Sequence, residues 1–360
     1  MNFSIDRNSI LGPISKLVGI TEKRSLMPIL SNILIEFDIT HTTIYSTDLE
    51  LSAIGYIEYS APENKKIVVH GRKFLEILRE MDNGEILLQI DENLLTIKQK
   101  QTEIVLSLQD PDEFPEVKKI SGEEEFIVDG TILLEMIDKV SFAVSLDETR
   151  YVLTGMHIKG KDGSVTVVGT DGFRMALYEK VLDGVGSFKG ITIPKRSLAE
   201  MERVIDEGEK VAINIDEKYV QISTKNIVVL SRVIEGSFPD FENVIPVGNE
   251  NVVRLEKEIF LKGLKKVSSI MGRSEPVRIT LSQGKMEIEA ESDIGRAKEV
   301  VAIDYEGEGI SMNFNVRFVM DVISHINGDT VIMSAPSTYG AVLFREEGDG
   351  YKNIVMPIRV

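Results

Sequence analysis

Apolar positions fall into a repeating order along the chain. Ile10, Leu11, Ile14, Leu17 and Val18 recur at helical spacing, after an alternating run through Phe3 and Ile5 that reads as a strand. The same helical stripe returns as Ile132, Leu133, Met136, Ile137 and Val140, and again as Ile259, Phe260, Leu264 and Val267. Each stripe is followed by short alternating runs, then by a second, shorter helical stripe that opens on basic residues: Arg72-Lys73-Phe74, Lys195-Arg196-Ser197 and Val316-Arg317-Phe318. Helices are expected over 10–18, 72–81, 131–144, 196–205, 257–271 and 316–326, with Pro13 in the first turn of the first, where a missing N–H costs little.

Between the two stripes of each copy lies a Thr/Ser-Asp landmark: Thr47-Asp48, Thr170-Asp171 and Ser292-Asp293. The three aspartates are spaced 123 and 122 residues apart, and the aligned basic residues Lys73, Arg196 and Arg317 follow them by 25, 25 and 24. An apolar-Pro pair closes each copy: Phe114-Pro115, Phe238-Pro239 and Met356-Pro357. Four landmarks in fixed order, three times, predict three tandem domains, 1–120, 121–245 and 246–360. Each holds two helices and about eight antiparallel strands, an α+β architecture. Two proline-bearing segments, 110–115 and 235–241, mark the boundaries.

Composition narrows the function. The chain has no cysteine, so disulfides, thiolate nucleophiles and zinc–cysteine sites are excluded. No apolar run is long enough for a spanning helix, and the N-terminus lacks the pattern of a secretory signal, so a cytoplasmic protein without a membrane partner is expected. The formal net charge of −17 argues against nucleic acid on average. The helices depart from that average: 257–271 carries Lys257, Lys262, Lys265 and Lys266 against Glu258 alone, while acid collects at 123–125 and 346–349. A face built from such helices suits a phosphate backbone read without regard to base.

Catalytic patterns are missing. His41, His70, His157 and His325 are scattered without metal-ligand spacing, and there is no phosphate loop, dinucleotide fingerprint or nucleophile elbow. Asp48, Asp171 and Asp293 are the best hydrolase candidates, but equivalent positions in separate copies do not share one site, and an aspartate opening a turn explains them. A non-enzyme without cofactor or metal is expected. A protein that meets nucleic acid through its helix face, a three-repeat adaptor and a hydrolase of the landmark aspartates are the readings to separate.

Several segments resemble the bacterial DNA polymerase III beta subunit, the replicative sliding clamp: 24–30, 46–50, 149–156, 169–174, 236–241 and the terminal Met356-Pro357-Ile358-Arg359-Val360. The resemblance runs the whole chain in order. It implies a repeated DNA-clamp domain and a ring-forming head-to-tail homodimer around double-stranded DNA, without catalysis. It also implies as partners the polymerase III catalytic subunit, a clamp loader, and other polymerases and repair proteins carrying clamp-binding peptides. Matched onto this chain, DNA contact falls to Arg24, Arg72, Lys195 and Arg196. The peptide cleft falls to Leu153, Thr170, Gly172, Phe173, Arg174, Met175, Pro239, Asn243, Val244, Met356, Pro357, Ile358, Arg359 and Val360, and the dimer contact to Lys73, Ile104, Leu106, Ile270 and Met271. Phe173 and Val360 depart from the His or Tyr and the Leu frequent in the family, and both shift the expected peptide preference.

Overall fold

The computed structural model describes residues 1–21, 27–120, 124–272, 275–337, 339–348 and 350–359. Among them are six α-helices and twenty-four strands, eight strands in each third of the chain. Each third is itself a doubled motif of strand, helix and three strands. In the first, Asn2–Asp6 leads into helix α1 (Arg7–Leu17) and the strands Asn32–Phe37, Thr42–Thr47 and Leu51–Ile57. Lys65–His70 then leads into α2 (Gly71–Glu80) and Glu85–Ile90, Leu94–Gln99 and Thr102–Ser107. The other helices are α3 (Gly130–Ser141), α4 (Lys195–Val204), α5 (Lys257–Ser268) and α6 (Val316–Ser324).

The helices form where the stripes predict, and the stripes are what they bury. Ile10, Ile14 and Leu17 of α1 are wholly buried, as are Phe74 and Leu78 of α2 and Phe260 and Leu264 of α5. Each such side chain contributes roughly 1.5–3 kcal/mol by leaving water. One boundary differs from the sequence reading. The Asp6 carboxylate accepts from the amides of Asn8 and Ser9, so α1 starts at Arg7 and Pro13 lies inside the helix rather than in its first turn.

The chain divides into two compact units, residues 1–134 with 196–233, and residues 135–195 with 234–360. Each contains one eight-stranded and one four-stranded antiparallel sheet. In the first unit the strand Leu51–Ile57 pairs with Ile227–Arg232, which joins strands from two thirds of the chain into one sheet. In the second unit Arg174–Val181 pairs with Tyr351–Val355 in the same way. The rule is constant: the strand after a landmark turn pairs with the last strand of the following third. Two strands lack such a mate, Thr102–Ser107 and Gly295–Ala302, and each is the outer edge of its four-stranded sheet.

Inside the second unit the Lys139 side chain is only 2% exposed. Its ammonium donates to the His325 carbonyl at 2.6 Å, pairs with Glu346 at 3.1 Å and sits 4.2 Å from the Tyr351 ring centroid. A buried lysine without these partners would be costly, so the cluster fixes α3 against the final strands.

Candidate functional site

The landmark turns are built alike. Thr47 Oγ1 accepts the Leu49 amide, and Asp48 Oδ1 accepts those of Glu50 and Leu51. Thr170 Oγ1 accepts the Gly172 amide, and Asp171 Oδ1 those of Phe173 and Arg174. The side chains replace backbone partners in a tight turn, which is why Thr-Asp recurs there. In the last third Glu291 stands opposite Arg296 as Thr47 stands opposite Ser52, so Ser292, which accepts the Ile294 amide, takes the place of Asp48 and the turn is shifted by one residue from the sequence landmark.

In the second unit this turn forms one wall of an apolar cavity of about 150 Å3, lined by Leu153, Thr170, Gly172, Phe173, Arg174, Met175, Phe238, Pro239, Phe241, Val244, Ile354 and Met356. Val168, Met175, Leu177, Phe241 and Ile354 form the buried layer beneath it. Phe173 and Val244 are half exposed at the rim. Gly172 has φ +85°, and a methyl group there would lie 2.6 Å from Arg150 Nη1. Arg150 donates from that nitrogen to the Asp171 carbonyl at 2.7 Å, and its guanidinium lies 5.0 Å from the Phe173 ring centroid. The rim aromatic is thus held from behind by a cation.

Arg174 anchors the turn. Its Nε donates to Asp171 Oδ2 at 3.1 Å, Nη1 to Asp321 Oδ2 at 2.5 Å and Nη2 to the Phe142 carbonyl at 2.8 Å. The guanidinium also lies over the Phe318 ring. One side chain so ties the cavity wall to α3 and α6. Behind the floor, the His157 ring stacks on Phe238 at 4.5 Å. Burial, with the nearby Lys159 charge, pushes its imidazole down to about 4, so it is neutral at pH 7.

The C-terminal segment closes the opposite side. The Met356 amide donates to the Phe173 carbonyl at 2.9 Å and that of Ile358 to Asn313 at 2.7 Å. Tyr339 donates its hydroxyl to the Pro357 carbonyl, and Arg359 lies 4.5 Å from the Tyr339 ring centroid. Asn243 does not line the cavity; its amide nitrogen donates to Asp240. Val360 lies outside the described residues. Sequence reasoning missed Phe238, Phe241 and Ile354 in the lining, and Arg150 and Tyr339 as supports. Of the Phe238-Pro239 landmark, only Pro239 was assigned to the cleft, and Phe238 served as a boundary signal.

A second concavity, about 740 Å3, lies in the first unit and is bordered by Arg72, Arg79, Arg196 and Arg203, with Glu200 and Gly19. Arg72 donates to the Thr21 carbonyl and Arg196 to that of Ile20, both at 3.3 Å. Arg196 also pairs with Asp48 at 2.7 Å, and Arg203 with both Glu200 oxygens at 2.9 and 3.0 Å. Of the matched basic residues, Arg72 and Arg196 converge here, and Arg24 lies outside the described residues. Lys195 belongs to the second unit, where burial and the Arg174 charge hold its ammonium below the usual lysine range. Arg79 and Arg203 are additional members, each in the last turn of its helix.

Of the residues matched to a dimer contact, Ile104 and Leu106 lie on an unmated edge strand, Lys73 on α2, and Ile270 and Met271 just after α5. Ile104 and Leu106 are half-buried on Thr102–Ser107, and Lys73 is exposed with a 2.8 Å bond to Glu76. Ile270 and Met271 are half-buried after α5. Among the described residues no three acidic or histidine side chains are grouped to hold a metal, and no helix is long and apolar enough to cross a membrane.

Three family models match the chain in order: the N-terminal domain of the DNA polymerase III beta subunit over residues 1–118, its central domain over 128–240 and its C-terminal domain over 242–359. The beta sliding clamp of Pseudomonas aeruginosa is 27% identical over 369 residues, and that of Caulobacter vibrioides 29% over 374, each with both chains fully covered. The crystal structure of the DNA polymerase III subunit beta from Pseudomonas aeruginosa superposes with a TM-score of 0.96 at 27% identity, covering both chains fully. That from Thermotoga maritima gives 0.93 at 26% identity, covering 100% of this chain and 99% of the other. With each third matched to its own domain of one family, and whole-length likeness in sequence and backbone, this chain belongs to the DNA polymerase III beta subunits, the DNA sliding clamps.

Proposed function

We propose that this sliding clamp closes around duplex DNA as a head-to-tail dimer in the cytoplasm and holds partner proteins through peptides seated in the cavity beside Phe173 and Met356. It performs no catalysis. One observation carries the ring: the strand after each landmark turn pairs with the last strand of the next third, and only Gly295–Ala302 and Thr102–Ser107 are left over. Pairing these between two chains extends the same rule and covers two bare edges.

The internal joints also support a register for that contact. Leu51 pairs with Ser231 and Ile54 with Val228. Equivalent hairpins, Thr47↔Ser52 with Glu291↔Arg296 and Tyr219↔Arg232 with Leu94↔Ser107, transfer this to the open edges. Gly295 then faces Leu106, Ala297 faces Ile104, and Lys298 faces Glu103. Apolar residues meet small ones and opposite charges meet directly. Leu106, across from a glycine, has room to reach Ile270 and Met271.

The arginine groove supports sequence-independent contact with phosphates through Arg72 and Arg196, and the family resemblance assigns the same role to Arg24 and Lys195. The cavity and tail suit short peptides with apolar anchors, as carried by the polymerase III catalytic subunit, a clamp loader, and other polymerases and repair proteins. The test is retention on nicked circular DNA after loading with ATP and a clamp loader. Retention on circles with loss after linearisation is expected; equal retention on both forms refutes the ring.

A further inference from the structure

The first unit repeats the framework of the peptide cavity with a different rim. Leu49 holds φ +79° where Gly172 holds +85°. The Arg232 amide donates to the Glu50 carbonyl at 2.9 Å, the bond that Met356 makes to Phe173 at 2.9 Å. Ser52 pairs with Leu230 as Met175 pairs with Ile354. Leu30 and Phe114, the counterparts of Leu153 and Phe238, share a buried cluster against which Val117, the counterpart of Phe241, packs. The apolar floor is therefore kept in part, with Ser52 standing where Met175 does and Leu230 where Ile354 does.

The rim is not. Glu50 stands for Phe173 and Arg232 for Met356, and their side chains pair at 3.2 Å across the place where the cavity opens in the second unit. We infer that the first unit holds a latent counterpart of the peptide cavity, and that the Glu50–Arg232 pair, with the Leu49 side chain, excludes apolar-anchored linear peptides from it. An apolar anchor entering there would have to strip water from both charges without offering either a partner. The two residues therefore set the number of peptides one chain accepts. This rests on the reading of the second-unit cavity as the peptide site.

The experiment is a titration with a fluorescein-labelled hexapeptide ending in Leu-Phe. The wild type takes one peptide per chain, and Met356→Glu takes none. The variant Leu49→Gly/Glu50→Phe/Arg232→Met takes two per chain, and still one when Met356→Glu is added. A reciprocal variant, Phe173→Glu/Met356→Arg, loses binding at least tenfold, while Phe173→Leu/Met356→Leu keeps it within about threefold. A wild type that takes no peptide overturns the cavity reading and this inference with it. One peptide per chain in both the wild type and the folded first-unit variant overturns this inference alone. If that variant does not fold, wild-type affinity in the reciprocal variant does so.

Discussion

Arg174→Met tests whether the cavity wall is held by charge. The arginine side chain is 11% exposed, and its partners differ in what they lose with it. Asp171 is 17% exposed and keeps the amides of Phe173 and Arg174, but its second oxygen loses the guanidinium. The Phe142 carbonyl loses a 2.8 Å bond. Asp321, 45% exposed, regains water, so that arm contributes little. Breaking a buried pair costs about 3–5 kcal/mol when the remaining charge is stranded. With Asp171 partly solvated and still bonded, about 2–3 kcal/mol is the expected loss. The place to read it is native-state hydrogen exchange in the Arg174–Val181 and Tyr351–Val355 strands, with peptide affinity measured alongside. Adding Asp171→Asn removes the stranded charge, so the double variant is less destabilised than the sum of the singles. Unchanged exchange in Arg174→Met, or strict additivity in the double variant, refutes the reasoning.

His157 makes the same region acid-sensitive. Its imidazole is held near 4 against 6.5 in the unfolded chain, so the unfolded state takes up the proton first. Stability is full above pH 6.5 and falls as pH drops toward 4, by up to about 3 kcal/mol; His157→Gln flattens that part of an unfolding-against-pH curve. Gly172→Ala places a methyl 2.6 Å from Arg150 Nη1 at φ +85°, and costs roughly 1–2 kcal/mol along with peptide affinity, read by urea unfolding and fluorescence polarisation. On the proposed register, Glu103→Lys sets like charges opposite Lys298 and weakens the dimer by roughly 0.2–1 kcal/mol per contact, measured by sedimentation. Because Lys298 already pairs with Glu287 and Glu289 and Glu103 with Lys98, the expected result for Glu103→Lys/Lys298→Glu is a loss smaller than the sum of the single losses, and strict additivity refutes the transferred register.

Helices were legible in the sequence because their buried faces are local patterns, as Ile10, Ile14 and Leu17 show. Three strands were not: Lys65–His70, Phe188–Pro194 and Ile310–Phe314. Lys65–His70 buries three residues in a row, Ile67 to Val69, so period two is lost. The joints between thirds were equally invisible, since Leu51–Ile57 meets Ile227–Arg232 across about half of the chain. The slipped third landmark has a local cause: serine at 292 accepts an amide as readily as aspartate, and Asp293 is then one residue late. Of the cavity, the family-like residues were legible, while Tyr339 was not, because it belongs to no periodic run and acts only through the folded tail.

On the proposed reading, the arginine groove lets a chain of net charge −17 meet DNA without gripping it. Three of its four arginines are already engaged: Arg72 and Arg196 on consecutive carbonyls, Arg196 also on Asp48, and Arg203 on Glu200. Gly19 permits that last pair, because a methyl there would lie 2.2 Å from Glu200 Oε2. A phosphate arriving at such a groove competes with bonds the arginines already have, so each contact gains less than a free guanidinium would offer. On a DNA-facing surface, acidic partners such as Asp48 and Glu200 would keep the contact slippery. Tight, released-counterion binding at each arginine would hold a closed ring in place, whereas a ring linked by topology needs only contacts that exchange easily from one phosphate to the next.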